Sequence, residues 1–491
     1  MHTSPQKIGL IHFVGIGGIG MSGIAEVLHN LGYRVAGSDR SLSANTARLE
    51  GLGITVHRGH SADNLTHAAV VVISTAVSRT NEEVIKAREL GIPIIHRSDM
   101  LAELMRLKPC IAISGTHGKT TTTSLIGCVL ESGNFDPTVI NGGIINAYGT
   151  NARLGTGDWM VVEADESDGS FLGLPATLGV ITNIDDDHLD HYGSFDAVKT
   201  AFITFFKQIP FYGLGILCGD NGVIQELSPF FQDRRRVLYG LNDTNDIYAE
   251  NIAYQRDHVQ FDVVCKSHVL KTFIRSRNYF TDTNDDVRFE RFHLPLLGEH
   301  NVQNALAGIC VALELGISME HTRTAYTQFA GVKRRFSIVD EVAGRVIIDD
   351  YAHHPTEIRT VLQAARRSAK NRVIAVLQPH RYSRLSRQLS EFAAAVAAAD
   401  SVLVTPVYAA GETQQNDVDH TSLAAAINAI TPGKAIAVYT QKEAVHVLAD
   451  QSKEGDTILH LGAGDITKWA HELPAQLTTL IHNIEKGFSH D

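Results

Sequence analysis

The run Gly115-Thr116-His117-Gly118-Lys119-Thr120-Thr121 combines residue types and a spacing that could hold a polyphosphate. It follows the apolar stretch Cys110-Ile111-Ala112-Ile113 and opens a helix-like segment. A strand that breaks on glycines into Gly-Lys-Thr turns backbone amides, a helix N-terminus and an ammonium towards one point, which suits a nucleotide's phosphates. The Thr120 hydroxyl would then reach a magnesium ion riding on those phosphates. The general phosphate-loop spacing asks for glycine at position 113, where this chain has Ile113. The match is therefore to the shorter Gly-Thr-x-Gly-Lys-Thr form.

Two acidic clusters follow apolar strands. Trp159-Met160-Val161-Val162 runs into Glu163-Ala164-Asp165-Glu166-Ser167-Asp168, and the strand from Leu178 to Ile181 runs into Asn183-Ile184-Asp185-Asp186-Asp187-His188-Leu189-Asp190-His191. Both emerge where an open parallel sheet binds its ligands. Magnesium takes hard oxygen ligands and keeps several waters, so the Glu163 carboxylate and the Thr120 hydroxyl form a natural pair, with His188 beside them. Zinc on His188 and His191 would lack the thiolates or the wider His-x3-His helical spacing usual for such sites.

Near the start, Gly15-x-Gly17-Gly18-x-Gly20 follows the apolar strand from Ile8 to Val14 and precedes Met21, Ser22 and a helix that runs to Leu31. This is the first turn of a nucleotide-binding fold, and Asp39, after the strand Tyr33 to Gly37, sits where a dinucleotide enzyme keeps its ribose-binding acid. The geometry requires only a pyrophosphate on a helix N-terminus, which NAD and UDP-sugars both carry. The uncharged stretch from Ile8 to Ala25 could pass for a signal peptide or a membrane span, but it holds six glycines, each costing a helix about 1 kcal/mol relative to alanine.

Strand and helix signals then alternate through Val70 to Ser74, the helix Asn81 to Leu90 and Ile92 to His96, which predicts a doubly wound first domain. The expected boundaries are 1–108, 109–330 and 331–491. Residues Gly219 to Arg291 are polar and mixed in period, and they read as antiparallel strands and loops. From Leu297 a helix reaches about Leu315, with Asn301 and Asn304 on one face. Two amides there suit an adenine edge or a helix cap. Past Ala330-Gly331 come Arg334-Arg335-Phe336, the strand Arg345 to Ile348, and Asp349-Asp350-Tyr351-Ala352-His353-His354-Pro355, with Pro355 suited to a helix's first turn. Strands at Val373–Leu377, Val402–Thr405, Ala435–Tyr439 and Thr457–Leu461 make the last part doubly wound again. The polar cluster Gln378-Pro379-His380-Arg381-Tyr382-Ser383-Arg384 ends one of them, and the late loop Gly462-Ala463-Gly464 reads as a structural turn.

Composition narrows the classes. With 491 residues, 44% hydrophobic and 20% charged, the chain is an ordinary globular α/β protein of about three domains. A formal net charge of -11 gives no basic footprint for nucleic acid. The five cysteines are scattered and mostly lie in apolar runs, which fits buried thiols in a reducing compartment. No membrane partner and a cytoplasmic location are expected.

Taken in order, these motifs resemble the Mur ligase family over nearly the whole chain. The glycine loop with Met21-Ser22-Gly23 and the run Asp350-Tyr351-Ala352-His353-His354-Pro355 look like the members that add L-alanine. The resemblance implies a Rossmann-like N-terminal domain for the UDP-sugar, a central P-loop ATPase domain and a Rossmann-like C-terminal domain that closes over both. It also implies an ATP- and Mg2+-dependent reaction of UDP-N-acetylmuramate with L-alanine through an acyl phosphate, in peptidoglycan synthesis. By that resemblance Gly115 to Thr121 hold the phosphates through Lys119, and Thr120 and Glu163 hold one magnesium. His188 serves a second, Asn301 and Asn304 the adenine, Arg335 the phosphates and Asp350 the ribose. Gly15, Gly17, Gly18, Gly20, Met21, Ser22, Asp39 and Ser74 are implied on the UDP-sugar, and His353, Arg381 and Arg384 towards the acceptor end. Several relatives carry a carbamylated lysine, but Lys199 and Lys207 do not fall on its position. Monomer and homodimer are both open.

Other classes explain less. A dehydrogenase leaves residues 110 to 190 without a role, and a regulatory P-loop NTPase leaves Arg381 and Arg384 without one. A ligase that recycles muropeptides is the nearest rival within the family. Domain closure about a hinge near Ala330-Gly331 is expected, and scattering with an ATP analogue and UDP-sugar should then show a smaller radius than without ligands.

Overall fold

Short apolar runs that end on glycine or an acid build three sheets in the computed structural model, which describes residues 8–255, 257–266, 286–414 and 418–487. The first contains β1 (Leu10–Val14), β2 (Arg34–Asp39), β3 (Thr55–Arg58), β4 (Ala68–Ile73) and β5 (Ile94–His96). All are parallel, in the order β3-β2-β1-β4-β5. The order reverses between β1 and β4, so the glycine loop after β1 lies at a switch point, where ligands bind such sheets. The loop leads into the helix Ile19–Asn30.

The second sheet has ten strands: β6 (Cys110–Ser114), β7 (Thr138–Ile145), β8 (Thr150–Arg153), β9 (Met160–Glu163), β10 (Leu178–Ile181), β11 (Leu214–Cys218), β12 (Arg236–Gly240), β13 (Ile247–Tyr254), β14 (Val259–Cys265) and β15 (Val287–Leu294). Their order is β15-β14-β13-β12-β11-β10-β6-β9-β7-β8. β6 is wholly buried between β10 and β9 and parallel to both, with Ile113 opposite Glu163 and Ser114 opposite Ile181. A strand buried on both faces reads as the continuous apolar run seen here. The pairing brings the phosphate loop and both acidic clusters to one sheet edge.

The first part of the stretch Gly219 to Arg291 departs from expectation. β12 pairs parallel with β11, and β13 parallel with β12, and the short helix Gly222–Leu227 intervenes. The parallel sheet thus continues through β12 to β13, while β14 lies beside β13 after a connection of four residues, the length of a hairpin, as the antiparallel expectation has it. Residues 256 and 267–285 of that stretch lie outside the described ones.

The third sheet follows the order β16-β17-β21-β18-β19-β20, from β16 (Ser337–Val342), β17 (Arg345–Asp350), β18 (Val373–Leu377), β19 (Ser401–Val404), β20 (Ala435–Ala437) and β21 (Thr457–Leu461). Only the β16 edge is antiparallel. Its core packs Phe392, Leu385, Ile358 and Leu362 on one face and Ile374, Val376, Ile458 and Leu473 on the other. The helix Pro355–Ser368 carries Pro355 in its first turn and His354 as its N-cap, as Pro at that position favours.

The chain divides into two compact units, Met1–Asn251 with Phe261–His293 and Gln303–Val332, and Ile252–Gln260 with Leu294–Val302 and Lys333–Asp491. The first sheet and most of the second fall in one unit, where the helix Ile19–Asn30 packs on β7 and β8. Among the described residues no helix is long and apolar enough to cross a membrane.

Candidate active site

The phosphate loop owes its shape to two glycines. Gly115 has φ 130°, and a Cβ there would lie 2.1 Å from Thr182 Oγ1, while Gly118 has φ 82° as it starts the helix Lys119–Ser132. Neither place admits an ordinary side chain. β10 then fixes the loop from beside it: Thr116 N donates to Asn183 O at 3.1 Å, His117 N to Asn183 Oδ1 at 2.8 Å, and Thr182 Oγ1 to His117 O at 2.6 Å. Asp185 N donates to Thr116 Oγ1 at 2.9 Å, and the His117 ring lies 3.0 Å from Asp185 Oδ2. The first turn of the following helix presents amides that no upstream carbonyl can satisfy, which makes it an anion site.

Lys119 turns back on this loop. Its Nζ donates to Gly115 O at 2.7 Å, Thr116 O at 3.2 Å and Glu166 Oε1 at 2.9 Å. Burial works against the ammonium, but Glu166, Asp165 and Glu163 together outweigh it and raise the Lys119 pKa, so the lysine stays charged. Burial pushes the Glu166 carboxyl up to about 7 against the pull of Lys119. His188 reaches the same carboxylate, with Nε2 3.5 Å from Glu166 Oε1. It holds a left-handed backbone, φ 58°, and Asp187 Oδ1 accepts its amide. A non-glycine residue held there stores strain, as functional sites often do.

Glu163 accepts from Gly142 N at 2.8 Å, and Thr120 is 5% exposed beside Gly143, whose added Cβ would lie 2.8 Å from Thr120 Cγ2. A hydroxyl and a carboxylate of this kind suit magnesium, a hard cation. A Cβ on Gly142 would fall 2.4 Å from Glu163 Oε1. Gly142→Ala is therefore expected to displace the carboxylate and destabilise the fold by about 1–3 kcal/mol. Denaturant unfolding reads the second effect, and a raised magnesium requirement for activity reads the first.

At the first loop, Gly17 N donates to Asp39 Oδ2 at 2.9 Å, and Gly15 N and Ile16 N both donate to Ser38 O. Asp39 thus lies against the glycine loop, and Ser74 is half-buried at the end of β4. Arg97 crowds Gly20, and its NH2 lies 3.9 Å from Asp165 Oδ2. Met21 and Ser22, 3% and 0% exposed, are packed inside the helix, where Ser22 Oγ donates to Ile19 O.

In the other unit, the Arg334 and Arg335 guanidinium carbons lie 4.8 and 5.3 Å from the Tyr351 ring centroid. Arg334 donates to Gly462 O at 2.6 Å, so the late glycine loop holds an arginine here. Asp350 is 4% exposed and accepts from Phe336 N and Ala352 N, each at 2.7 Å. Burial raises its pKa to about 6. These bonds give Asp350 a part in shaping the arginine loop that the ribose expectation did not include. His353 lies 3.3 Å from Glu357 Oε2, and its ring centroid is 5.4 Å from that of His380. Arg381, with φ 67°, donates its amide to Tyr408 O, and Arg384 is 8% exposed. Asn301 donates from Nδ2 to Leu297 O at 2.8 Å, tying the first turn of the helix Glu299–Leu315 to the chain before it.

Asn304, one turn along the same helix, falls in the first unit and accepts from Thr122 Oγ1 at 3.1 Å. The structure thus gathers Lys119, Thr120, Glu163, His188 and Asn304 in the first unit, and Asn301, Arg335, Asp350, His353, Arg381 and Arg384 in the second. Lys199, half-buried, pairs with Glu226 at 2.9 Å. Sequence reasoning passed over Glu166, Asn183 and Gly142. A signal existed for Glu166, three residues past Glu163 at the same strand end, and for Asn141-Gly142-Gly143, a polar, glycine-rich stretch in β7 where its register against β8 shifts.

A phosphate loop on a buried strand flanked by acid-bearing strand ends, with a parallel sheet before it in the chain and a mostly parallel one after it, is the arrangement of a nucleotide-dependent α/β enzyme. Three family profiles match along the chain: the Mur ligase family catalytic domain at residues 10–109, the Mur ligase middle domain at 113–312, and the Mur ligase glutamate ligase domain at 334–464. The chain belongs to the Mur ligase family. Among its relatives, a UDP-N-acetylmuramate–L-alanine ligase of Bartonella quintana (strain Toulouse) is 52% identical over 481 residues, 98% of each chain. One of Agrobacterium fabrum is 52% identical over 97% of this chain and 98% of its own. The crystal structure of the UDP-N-acetylmuramate-alanine ligase of Thermotoga maritima superposes with a TM-score of 0.78 at 30% identity, covering 96% of this chain and 99% of that one.

Proposed function

We propose that this enzyme joins the amine of L-alanine to the lactyl carboxylate of UDP-N-acetylmuramate, converting ATP to ADP and phosphate, in peptidoglycan precursor synthesis. The observation that carries the chemistry is the convergence of Lys119, Glu166 and His188 at the edge where Thr120 and Glu163 emerge. The substrates are those in the names of relatives 52% identical over almost the whole chain.

A carboxylate is a poor electrophile, and here two anions must meet at a terminal phosphate, so the site needs cations more than a nucleophilic side chain. Lys119, already charged and held by the loop carbonyls, exchanges part of that contact for the β- and γ-phosphates. Thr120 and Glu163 would hold one magnesium and His188 a second. When bound, magnesium neutralises the phosphate oxygens. A carboxylate oxygen of the sugar attacks the γ-phosphorus, and the bond to the β-phosphate oxygen breaks to release ADP. The alanine amine then attacks the acyl carbon of the acyl phosphate and phosphate leaves.

Asn301 and Asn304 serve the adenine side, Arg335 the phosphates and Asp350 the ribose. Gly15, Gly17, Gly18, Gly20, Met21, Ser22, Asp39 and Ser74 make up the UDP-sugar site, Met21 and Ser22 from the helix behind the loop. His353, Arg381 and Arg384 serve the acceptor end. Domains at 1–108, 109–330 and 331–491, a cytoplasmic location and a monomer or homodimer complete the reading.

The first loop decides between this reading and a dehydrogenase. It should bind UDP-N-acetylmuramate at micromolar concentration and ignore NADH. Calorimetric titration showing NADH binding without UDP-sugar binding would overturn the assignment.

A further inference from the structure

Two buried asparagines join the loop after β1 to the loop after β6. Asn151, on β8, is 1% exposed, and its Nδ2 donates at 2.6 Å to the carbonyl of Ile19, the first residue of the helix that follows the glycine loop. The same Nδ2 lies 3.4 Å from Asn141 O. Asn141, on β7 and 2% exposed, donates from Nδ2 to Ser124 Oγ at 2.7 Å and to Thr120 O at 3.3 Å. Its Oδ1 accepts from Gly142 N, the amide that also donates to Glu163 Oε2 at 2.8 Å. A continuous set of hydrogen bonds, buried around Asn141, therefore runs from Ile19 to Thr120 and Glu163.

Nothing in local packing calls for these residues. Asparagine is depleted in strands, and a buried amide is favourable only when satisfied. Asn151 Oδ1 has no hydrogen-bond partner and is buried, so this position bears a cost that an apolar side chain beside buried Ala152 would avoid. Helix and sheet also meet closely here, since a Cβ on Gly23 would lie 2.7 Å from Asn151 Nδ2. The helix start is thus held by this amide.

We propose that Asn151 and Asn141 are positioning residues that couple the two loops, so that UDP-sugar at the first strengthens nucleotide binding at the second, and the reverse. The inference rests on the ligand assignments proposed above. A ligand on the helix N-terminus tightens the Ile19 end of the relay, and the relay orders Thr120 and the Gly142 amide that orients Glu163. Such coupling is reciprocal by thermodynamic necessity.

The test measures the affinity for UDP-N-acetylmuramate by titration calorimetry, with and without saturating non-hydrolysable ATP analogue and magnesium. In the wild type the analogue should tighten UDP-sugar binding at least about fivefold, the lower end of ordinary coupling. In Asn151→Ala that factor should fall to near one, while each ligand alone binds within about threefold of wild type. Gly23→Ala keeps both asparagines but forces the helix away from Asn151, so it should lose the coupling too, and it serves if Asn151→Ala does not fold. Coupling that survives in a folded variant, or is lacking in a wild type that binds both ligands, overturns the inference alone. A wild type that binds no UDP-sugar overturns the assignment beneath it as well.

Discussion

Replacing Lys119 by alanine lowers turnover by roughly a thousandfold or more and leaves the affinity for UDP-N-acetylmuramate within a few-fold of wild type. The loss is large because Lys119 is the ammonium fixed at the phosphate loop, and its charge counts most where negative charge develops on the terminal phosphoryl group. The sugar nucleotide is spared because its loop follows β1, in a different sheet from the phosphate loop after β6. The variant should stay folded at neutral pH, since Glu166, already pushed up to about 7 by burial, can take up a proton once its partner is gone. A carboxyl whose folded pKa stands above its unfolded value binds protons more tightly when folded. Stability of the variant should therefore fall as pH rises from about 4.5 through 7 and beyond, more steeply than in the wild type. Steady-state assays, titration of UDP-sugar and urea unfolding across that range measure the three effects. Equal loss of sugar binding and of turnover would refute the division into two sites.

The second result with an all-or-none outcome concerns which bond of ATP breaks. Carboxylates are activated either by adenylation at the α-phosphate or by phosphorylation at the γ-phosphate. A Gly-Lys-Thr loop sets its lysine against the β- and γ-phosphates and its threonine on the bridging magnesium, so stabilisation is greatest at the terminal group. The products should be ADP and phosphate, with neither AMP nor pyrophosphate. When L-alanine is withheld, hydroxylamine should capture the activated sugar acid as a hydroxamate. Detection of AMP and pyrophosphate would overturn the roles given to Lys119, Thr120, Glu163 and His188 together.

The elements that carry this chemistry were legible because their signals are local. Cys110 to Ile113 reads as a buried strand, Gly115 and Gly118 as a turn, and the residues after Lys119 as a helix, each from a few neighbours in the chain. The same holds for β9 ending at Glu163 and β10 ending before Asn183. What the sequence missed in the 219–291 stretch was its first part, where polar, irregular segments gave no period, and only the pairing of β12 with β11 and of β13 with β12 shows that the parallel sheet extends there.

Other features required the folded chain. That Lys119 rests on Glu166, that Asn183 grips the amides of Thr116 and His117, and that Asn304 accepts from Thr122 are contacts across 47, 66 and 182 residues of sequence. Sheet order creates the first two, because β6 lies between β10 and β9 rather than beside its neighbours in sequence, and the third joins the helices Lys119–Ser132 and Glu299–Leu315. The burial of Met21 and Ser22 likewise depends on what the helix Ile19–Asn30 packs against. Residue types and spacing by themselves determined which groups could do chemistry and at which strand ends they would emerge. Which of those groups touch, and which carboxylate the phosphate-loop lysine faces, was decided by strand order and side-chain packing, since long-range partners leave no pattern in the local sequence.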